Sequence, residues 1–512
     1  MTKHVLCAAV LLAAPFPAAS QQSFEGLTLV SPSFSTSTYL IDMAGSTVRT
    51  WHGAENPAST AYLLEDGSLL RPCIDPDGHF PGAGAGGRVQ RIDADDSVIW
   101  DFTFSDSTHQ QHHDIRPLSN GNILLIAWEK KTIEEAQAAG RQDIDNEMWP
   151  TLIVEVEPQE PTGGNIVWEW HLWDHLIQDV DPEKSNYGTV AEHPELMDIN
   201  FGDVGLGHQG IGDWIHANAV DYSEELDQIV FSSRSMNEFY VIDHSTTIDE
   251  AAGHTGGNAG RGGDLLYRWG NPQVYDRGTP ADQQFQVVHG ANWIDRGLPG
   301  EGNILVFNNG DRSGTANDYS VVEEIVPPLE SSLRYYIAPG AAFGPSGPAW
   351  TYGGPGGFYG GPVQCGAYRL PNGNTLVCKT NTGYVFEVTH SGTTVWDYDI
   401  PGRIARAPRY WVDLRATLAG GALELEWQSR PGVAAYWVYG AENQTYFAPG
   451  LVPLFAGRVA IVPSGITTWF SPAGIGDPAH NWTYMVMAVD EGESVLARSN
   501  RVGEQEFAFG TP

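Results

Sequence analysis

The sequence predicts an all-β fold: a six-bladed β-propeller followed by a small β-sandwich. Two recurring half-repeats carry this prediction. One is a strand, a turn and a second strand, with a polar or reactive residue at a fixed place. The other is a two-strand unit with a tryptophan near its end. Strand repeats spaced tens of residues apart are typical of propeller blades, and a propeller brings the same position of every blade to one central channel.

The first half-repeat is aligned on its turn. Its five copies begin at Ser59, His113, His216, His289 and Cys365. In three copies an Asp-Gly or Asn-Gly pair follows 7 residues later, and the other two copies have a longer turn. These dipeptides between apolar runs favour hairpins because both residues accept positive φ. The shared register predicts that the five starting residues converge on the channel.

The second half-repeat supplies two further strands to each blade. Its recurrent tryptophans are Trp51, Trp100, Trp168, Trp269 and Trp396. Their large apolar area suits the layer between blades. The last copy ends near Pro401 with no hairpin after it, so strands near the start of the mature chain, such as residues 26–30, are expected to complete that blade and close the ring. Five blades are the near alternative.

Residues 1–20 have the features of a secretory signal peptide. Lys3 is followed by an apolar stretch over residues 5–16 and by small residues up to Ser20. The mature protein is therefore expected in the periplasm or outside the cell. No later segment is long and apolar enough to predict a membrane span.

The charge balance limits the partners. The chain has 63 acidic and 27 basic residues, a formal net charge of −36. Such a surface repels nucleic acid and anionic membranes, so neither is expected as a main partner. An anionic substrate would need a locally positive pocket, which clustered histidine and arginine could provide.

The strand pattern changes near residue 411. Short alternating strands then continue to the end of the chain, as in a β-sandwich. The phrases LELEWQSRPGVAAYWVYGA and NWTYMVMAVDEGESVLARSNRVG resemble the fibronectin type III pattern. We assign residues 21–410 to the propeller and 411–512 to a fibronectin type III-like module. This module could contact an extracellular polymer, and we give it no catalytic role.

Three histidines at equivalent repeat positions admit two kinds of chemistry. His113, His216 and His289 could bind one divalent metal ion as neutral imidazoles, as in a hydrolase or lyase. They could instead act as acid, base and nucleophile. Arg234 and Arg312 follow two of them by one hairpin and favour an oxyanion ligand, because a guanidinium matches sulfate or carboxylate.

Four polar residues lie close to the histidines in sequence and could orient the imidazole rings. They are Asp114, Asp213, Asn218 and Asn292. A third hypothesis needs no reaction at all. In it, the propeller and the C-terminal module together recognise an extracellular polymer.

The phrase DWIHANAVDYSEELDQIVFSSRSMNEFYVID, with LLYRWGNP, VVHGANWID and GNILVFNNGDR after it, resembles the bacterial arylsulfate sulfotransferase family. The resemblance covers about residues 25–410. It implies a six-bladed propeller and transfer of a sulfuryl group from a phenolic sulfate ester to another phenol. It also implies no metal and no nucleotide cofactor, with a small aromatic sulfate or a related organic anion as the ligand.

The resemblance also implies site residues. His216 and His289 match two histidines of the family's site, Arg312 matches its arginine best, and Arg234 is the alternative. The family's sulfate-accepting histidine would fall near Cys365, where this sequence has no histidine. The nucleophile is then His289, His216 or Cys365, or the transfer step is lost.

The predicted site has two parts. His113, an additional histidine of the column, joins His216, His289 and Arg312 as catalytic candidates. The substrate-binding candidates are Asn218, Arg234, Asn292 and Cys365.

Overall fold

Six four-stranded antiparallel sheets form the propeller in the computed structural model. The structure describes residues 23–24, 26–64, 67–93, 95–204, 212–295, 298–310, 318–331, 333–410, 415–419, 422–427, 433–442, 456–471, 482–489, 495–499 and 502–503. The predicted signal peptide and Arg312 lie outside these residues. Among the described helices, none has the length and apolar composition that a bilayer crossing requires.

We number the blades along the chain and list their strands in chain order. Blade 1 contains Leu27–Val30, Ser37–Ile41, Thr47–His52 and Arg409–Tyr410; blade 2 contains Tyr62–Leu63, Leu69–Ile74, Gly87–Ile92 and Val98–Thr103; blade 3 contains His109–Pro117, Ile123–Glu129, Thr151–Pro158 and Gly164–His171. Blade 4 contains Ala217–Ser223, Gln228–Ser233, Glu238–Asp243 and Tyr267–Trp269; blade 5 contains Val288–Trp293, Ile304–Asn308, Val321–Ile325 and Trp350–Gly353; blade 6 contains Gly366–Arg369, Thr375–Lys379, Tyr384–Val388 and Thr394–Asp399.

Short elements lie in the connections between strands and between blades. The α-helices are Ile133–Ala138 and Ile248–Ala251, and the 3-10 helices are Leu172–His175, Val190–Glu192, Pro272–Tyr275 and Thr380–Thr382. Two-stranded sheets pair Leu176–Ile177 with Met197–Asp198, and Leu329–Ser331 with Arg334–Tyr335. Each α-helix begins with a capping box, in which a threonine and a glutamate satisfy backbone N–H groups at the helix start.

The ring closes at a different blade from the one that the sequence suggested. Blade 6 is complete from its own four strands. The N-terminal strand Leu27–Val30 instead pairs with Arg409–Tyr410 from the end of the propeller, which becomes the innermost strand of blade 1. The prediction that N-terminal residues take part in closure is right, but its assignment to the last blade is wrong. The half-repeat pattern missed this strand because it contains only two residues.

The recurrent tryptophans lie between blades, as predicted. Trp100 of blade 2 donates from its indole to the carbonyl of Gly163 in blade 3, at 2.8 Å. Three others reach the following blade or the connection before it in the same way: Trp168 bonds Thr246, Trp269 bonds Pro345 and Trp396 bonds Met43. Each ring thus combines apolar burial with one hydrogen bond across a blade boundary.

Two antiparallel sheets follow the propeller. One contains Arg415–Ala419, Ala422–Glu426 and Thr468–Phe470; the other contains Ala456–Pro463, Ala435–Glu442, Trp482–Val489 and Val495–Arg498, with Val502–Gly503 pairing the third of these strands. Trp427 and Tyr436 pack edge to face, with ring centroids 5.4 Å apart, in their buried core. The fibronectin type III assignment and the domain boundaries stay predictions.

Candidate active site in the propeller channel

The innermost strands are interrupted where the predicted site residues lie. The pairing of blade 3 shifts between Gln111 and Ile115, and the pairings of blades 4 and 5 shift in the same region. His113 and His216 have φ of 52° and 49°, a left-handed conformation that is uncommon for histidine. Bulges of this kind redirect side chains next to active sites.

His113 and His216 meet in the channel. Their ring centroids lie 4.6 Å apart and their planes are nearly perpendicular, at 82°. Both side chains are buried. The two residues are in contact although 102 intervening residues separate them in sequence. The structure therefore brings together two of the three histidines that the repeat register predicted to converge.

Asp213 orients His216. The Asp213 carboxylate lies 2.5 Å from Nδ1 of His216, and its other oxygen accepts a hydrogen bond from the indole of Trp128 at 3.0 Å. A carboxylate with a fixed partner on one oxygen holds the proton on Nδ1 of the imidazole. Nε2 of His216 therefore points away from the carboxylate, as in the acid–base pairs of hydrolytic enzymes.

His112 is a buried neighbour of His113 that was not predicted from the sequence. Its Nδ1 lies 2.8 Å from Nδ1 of His113, and its ring stacks on Trp128 with 4.0 Å between centroids. Burial lowers the pKa of His112 to about 3, so the ring is neutral. The doubled histidine in QHHDI was the available signal.

His289 is held in one tautomer. Its Nδ1 lies 2.7 Å from the side-chain oxygen of Asn309 and 3.1 Å from the carbonyl of Val287. The Asn309 amide nitrogen donates to two backbone carbonyls, which fixes its oxygen toward the ring. Because both partners of Nδ1 accept, Nδ1 carries the proton. Nε2 then keeps its lone pair and has no hydrogen-bond partner within the described residues.

Burial also keeps His289 neutral. It lowers the pKa of His289 to about 3, which the bond to Asn309 opposes and the positive charge of Arg234 reinforces. Arg234 is half-buried and its backbone N–H donates to the carbonyl of His216 at 3.2 Å. The predicted residue Arg234 thus lies close enough to both histidines to influence the site. Arg312, which the resemblance favours over Arg234, is outside the described residues.

A hydrogen-bonded chain links His289 to the far side of the ring. Asn309 donates to the carbonyl of Gln364, and the Gln364 amide donates to the hydroxyl of Ser59 at 3.0 Å. Blades 5 and 2 are therefore connected through the segment that precedes blade 6. Neither Asn309 nor Gln364 was expected from the sequence.

The two predicted asparagines join neighbouring blades. Asn218 donates to the carbonyl of Val288 and accepts from Ser232 and Gly290. Asn292 donates to carbonyl groups within blade 5 and to Ala367 of blade 6. Their amide groups are committed to the backbone, so they position the strands that carry the histidines.

Cys365 lies in the core. Its thiol contacts the carbonyls of Gly360 and Val363, and it belongs to an apolar cluster with Phe307 and Phe386. Burial raises the pKa of the thiol to about 11, so it is protonated at neutral pH. A buried, protonated thiol is a poor nucleophile, so this geometry does not favour Cys365 as the replacement nucleophile. Its assignment to substrate binding stays a prediction.

The histidine column does not form a compact metal-ligand set among the described residues. Within the described part of the chain, three donor atoms lie within 4.8 Å of one another at His175, His254 and Asp264 instead. That group lies in the connections that follow blade 3 and the third strand of blade 4. The alternative set of His113, His216 and His289 is therefore not assembled as a three-donor site.

Solved structures with a similar arrangement have low sequence identity. A protein of unknown function from Bacteroides caccae is 12% identical, with 75% of this chain and 99% of that chain covered and a TM-score of 0.37. Virginiamycin B lyase from Staphylococcus aureus is 10% identical, with 79% and 89% covered and a TM-score of 0.34. The Cps50 (Swd1) β-propeller domain of Myceliophteria thermophila is 9% identical, with 76% and 87% covered and a TM-score of 0.31.

The family of this chain is shown by comparison of its sequence with models of protein families. No curated protein matches the chain. The model of the arylsulfotransferase (ASST) family matches residues 16–325, more than half of the chain, and this region includes His113, His216 and His289. The position of Cys365 lies beyond the match. The resemblance stated from the D-W-x-H-x-N phrase is confirmed: the chain belongs to the arylsulfotransferase (ASST) family.

Proposed function

We propose that this chain transfers a sulfuryl group between phenolic sulfate esters and phenols through a histidine of the central channel. The observation that carries the proposal is the fixed tautomer of His289. Its Nδ1 proton is held by Asn309, which leaves an uncharged Nε2 with an available lone pair. A neutral imidazole is a nucleophile at the pH where an imidazolium is not.

The reaction has two balanced halves. In the first, Nε2 of His289 forms a bond to sulfur while the bond from sulfur to the aryl oxygen breaks. His216, which starts this half as the imidazolium, gives its Nε2 proton to the leaving phenolate. In the second, the oxygen of the acceptor phenol forms a bond to sulfur while the nitrogen–sulfur bond breaks, and the phenol proton returns to His216. The family's sulfate-accepting histidine is not required in this scheme.

Two neighbours support these roles. Asp213 stabilises the positive charge of His216 when it holds the additional proton. Arg234 places positive charge next to His289, where the sulfuryl oxygens would gather. The protein surface is strongly acidic, so this local positive charge distinguishes the channel as a site for an anionic ester.

The first test uses 4-nitrophenyl sulfate as donor and phenol as acceptor. We expect nitrophenol release that depends on phenol in the wild-type protein and is lost in His289→Ala. His52→Ala is the matched control, because His52 lies on the outer strand of blade 1 with a side chain 63% exposed. It should leave the rate unchanged.

The second test looks for the intermediate. Protein mixed with donor alone and quenched at alkaline pH should carry one sulfuryl group on the peptide that contains His289. A sulfuryl group on the His216 peptide would transfer the nucleophilic role to that residue. Release of nitrophenol without acceptor would indicate hydrolysis.

Two results would favour the other hypotheses. A rate that requires a divalent ion and responds to all three channel histidines would favour a metal-dependent hydrolase or lyase. If neither the wild-type protein nor any variant turns over the ester, the result would favour a binding protein for an extracellular polymer. We also propose that residues 1–20 direct the chain out of the cytoplasm, which N-terminal sequencing of exported protein would test.

A further inference from the structure

A second histidine cluster lies outside the channel. His175 is at the end of the 3-10 helix after blade 3, and His254 and Asp264 belong to the glycine-rich connection between the third and fourth strands of blade 4. Nδ1 of His175 lies 2.9 Å from Oδ1 of Asp264, and Nδ1 of His254 lies 2.7 Å from the same oxygen. Two imidazole nitrogens therefore converge on one carboxylate oxygen.

The proton positions make this arrangement unusual. Nε2 of His175 lies 2.8 Å from the backbone carbonyl of Ala251, so Nε2 carries a proton and Nδ1 presents a lone pair unless the ring is cationic. A lone pair aimed at a carboxylate oxygen is repulsive. Either a proton or a metal ion must lie between them, and His175 is fully buried, where a charged ring is costly.

The surroundings match those of metal-binding histidines. A ligating histidine almost always donates its second ring nitrogen to a carbonyl or carboxylate, which fixes its orientation. The Ala251 carbonyl does this for His175. Gly263 allows the close approach: a Cβ there would lie 2.0 Å from the Ala251 carbonyl oxygen and 2.6 Å from Nε2 of His175.

We propose that His175, His254 and Asp264 bind a divalent transition-metal ion, with zinc the best match to two imidazoles and one carboxylate. Ligands of a tetrahedral zinc ion are roughly 3.3 Å apart, so each of the two nitrogen–oxygen distances, 2.9 and 2.7 Å, needs to lengthen by roughly half an ångström. The three donor atoms already lie within 4.8 Å of one another. The ion would hold the blade 4 connection against the segment after blade 3.

The site has room for a fourth ligand that does not come from the protein. The His254 side chain is 60% exposed and lines a surface cavity of about 580 Å³, together with Trp173, Asp174, Tyr187 and His193. Three protein ligands and one water at the edge of a cavity form the open type of zinc site. This inference concerns a site separate from the channel and does not depend on the sulfotransfer proposal.

The test is zinc binding to the full chain after removal of metal with EDTA. We expect the wild-type protein to bind about one more Zn²⁺ per chain than His254→Ala at micromolar metal, with affinity at this site reduced more than about tenfold in the variant. His254 is exposed, so the variant should fold. His193→Ala, which removes another cavity histidine, is the matched control and should bind like wild type.

Two further readouts make the result decisive. Zinc, but not calcium, should raise the Tm of wild type and of His193→Ala, with no such rise in His254→Ala. Cobalt should give the intense visible absorption of a tetrahedral site in the first two proteins alone. Equal zinc binding by wild type and His254→Ala would overturn the proposal and leave the cluster as a carboxylate with two imidazolium partners.

Discussion

Arg406 and Asp114 form an ion pair inside the propeller, with 2.6 Å between a guanidinium nitrogen and a carboxylate oxygen. Both side chains are buried. Asp114, in blade 3, also accepts a hydrogen bond from the hydroxyl of Thr60, which lies just before the first strand of blade 2. It accepts another from the backbone N–H of Val220 in blade 4. Arg406 lies three residues before Arg409, the first residue of the strand that closes blade 1. The pair therefore connects the closing segment to the second, third and fourth blades.

Arg406→Met should destabilise the propeller. It leaves the Asp114 carboxylate buried without its cation, and breaking a buried pair in this way costs about 3–5 kcal/mol. We expect the unfolding free energy, measured with urea, to fall by that amount. Arg403→Met is the control, because Arg403 is partly exposed and its guanidinium makes a 3.4 Å contact with Asn381. A loss below about 1 kcal/mol in Arg406→Met would contradict a role in closure.

The contrast between these residues and the histidines explains what the sequence could predict. The positions of His113 and His216 follow from a repeat whose strands and turns can be recognised locally, although the turn that follows His216 is longer. Arg406 finds Asp114 across 291 intervening residues only because the ring closes. No local pattern contains that information, and the closing strand is too short to show a repeat.

The direction of a side chain is the second feature that could not be predicted from the sequence. Cys365 occupies the predicted place in the repeat, yet its thiol packs in the core beside Phe307. Its φ of 77° lies in the left-handed region, as do those of His113 and His216. Neither the backbone conformation nor the count of residues therefore separates a channel side chain from a core side chain. Asn309 was missed for a related reason, because its contact with His289 depends on how the hairpin of blade 5 is folded.

Asp213→Asn should reduce turnover while leaving the fold intact. The indole N–H of Trp128 will select the amide oxygen, which turns the amide nitrogen toward Nδ1 of His216. That geometry forces the His216 proton onto Nε2, the wrong tautomer for a base. We expect kcat for sulfuryl transfer to fall by about two to four orders of magnitude.

The measurement is the rate against pH, with the Tm as control for structure. A wild-type Tm with a large loss of kcat supports the orienting role. An unchanged rate, or a rate lost only through a lower Tm, would show that Asp213 does not act through His216. Trp128→Phe removes the partner of the distal oxygen and should have a smaller effect in the same direction.

His244 predicts a pH dependence of stability. Its two ring nitrogens lie 2.8 Å from Asp227 in blade 4 and 2.8 Å from Glu155 in blade 3. Burial opposes the charge on the ring, but the two carboxylates outweigh it and raise the pKa of His244 to about 9, from a usual value of 6.5. The folded state therefore binds this proton more tightly than the unfolded state does.

The direction of the pH dependence of stability follows from that difference in proton affinity. The stabilising contribution is complete below about pH 6.5 and is lost as the pH rises to about 9, because only the folded protein keeps the proton in this window. The full contribution amounts to about 3 kcal/mol. Urea unfolding at pH 6 and pH 9 should show this decrease in wild type and not in His244→Gln, with His52→Gln as the exposed control. A parallel decrease in both variants would assign the effect to other groups.

Gly84 determines where His113 lies. Its φ is +81°, and a Cβ at this position would lie 2.3–2.5 Å from three atoms of the His113 ring. Gly84→Ala must therefore displace the ring that contacts His216. We expect a loss of transfer activity together with a lower Tm.

Gly67→Ala is the control that separates the effect of the contact with His113 from the effect of backbone strain. Gly67 has nearly the same φ, +80°, and a Cβ there meets nothing within 4 Å. Both variants pay the cost of a left-handed alanine, about 1–2 kcal/mol. Only Gly84→Ala should lose more than this and reduce the rate, which thermal unfolding and the nitrophenyl sulfate assay would measure. Equal effects of the two substitutions on rate would mean that contact between the His113 and His216 rings is not needed for catalysis.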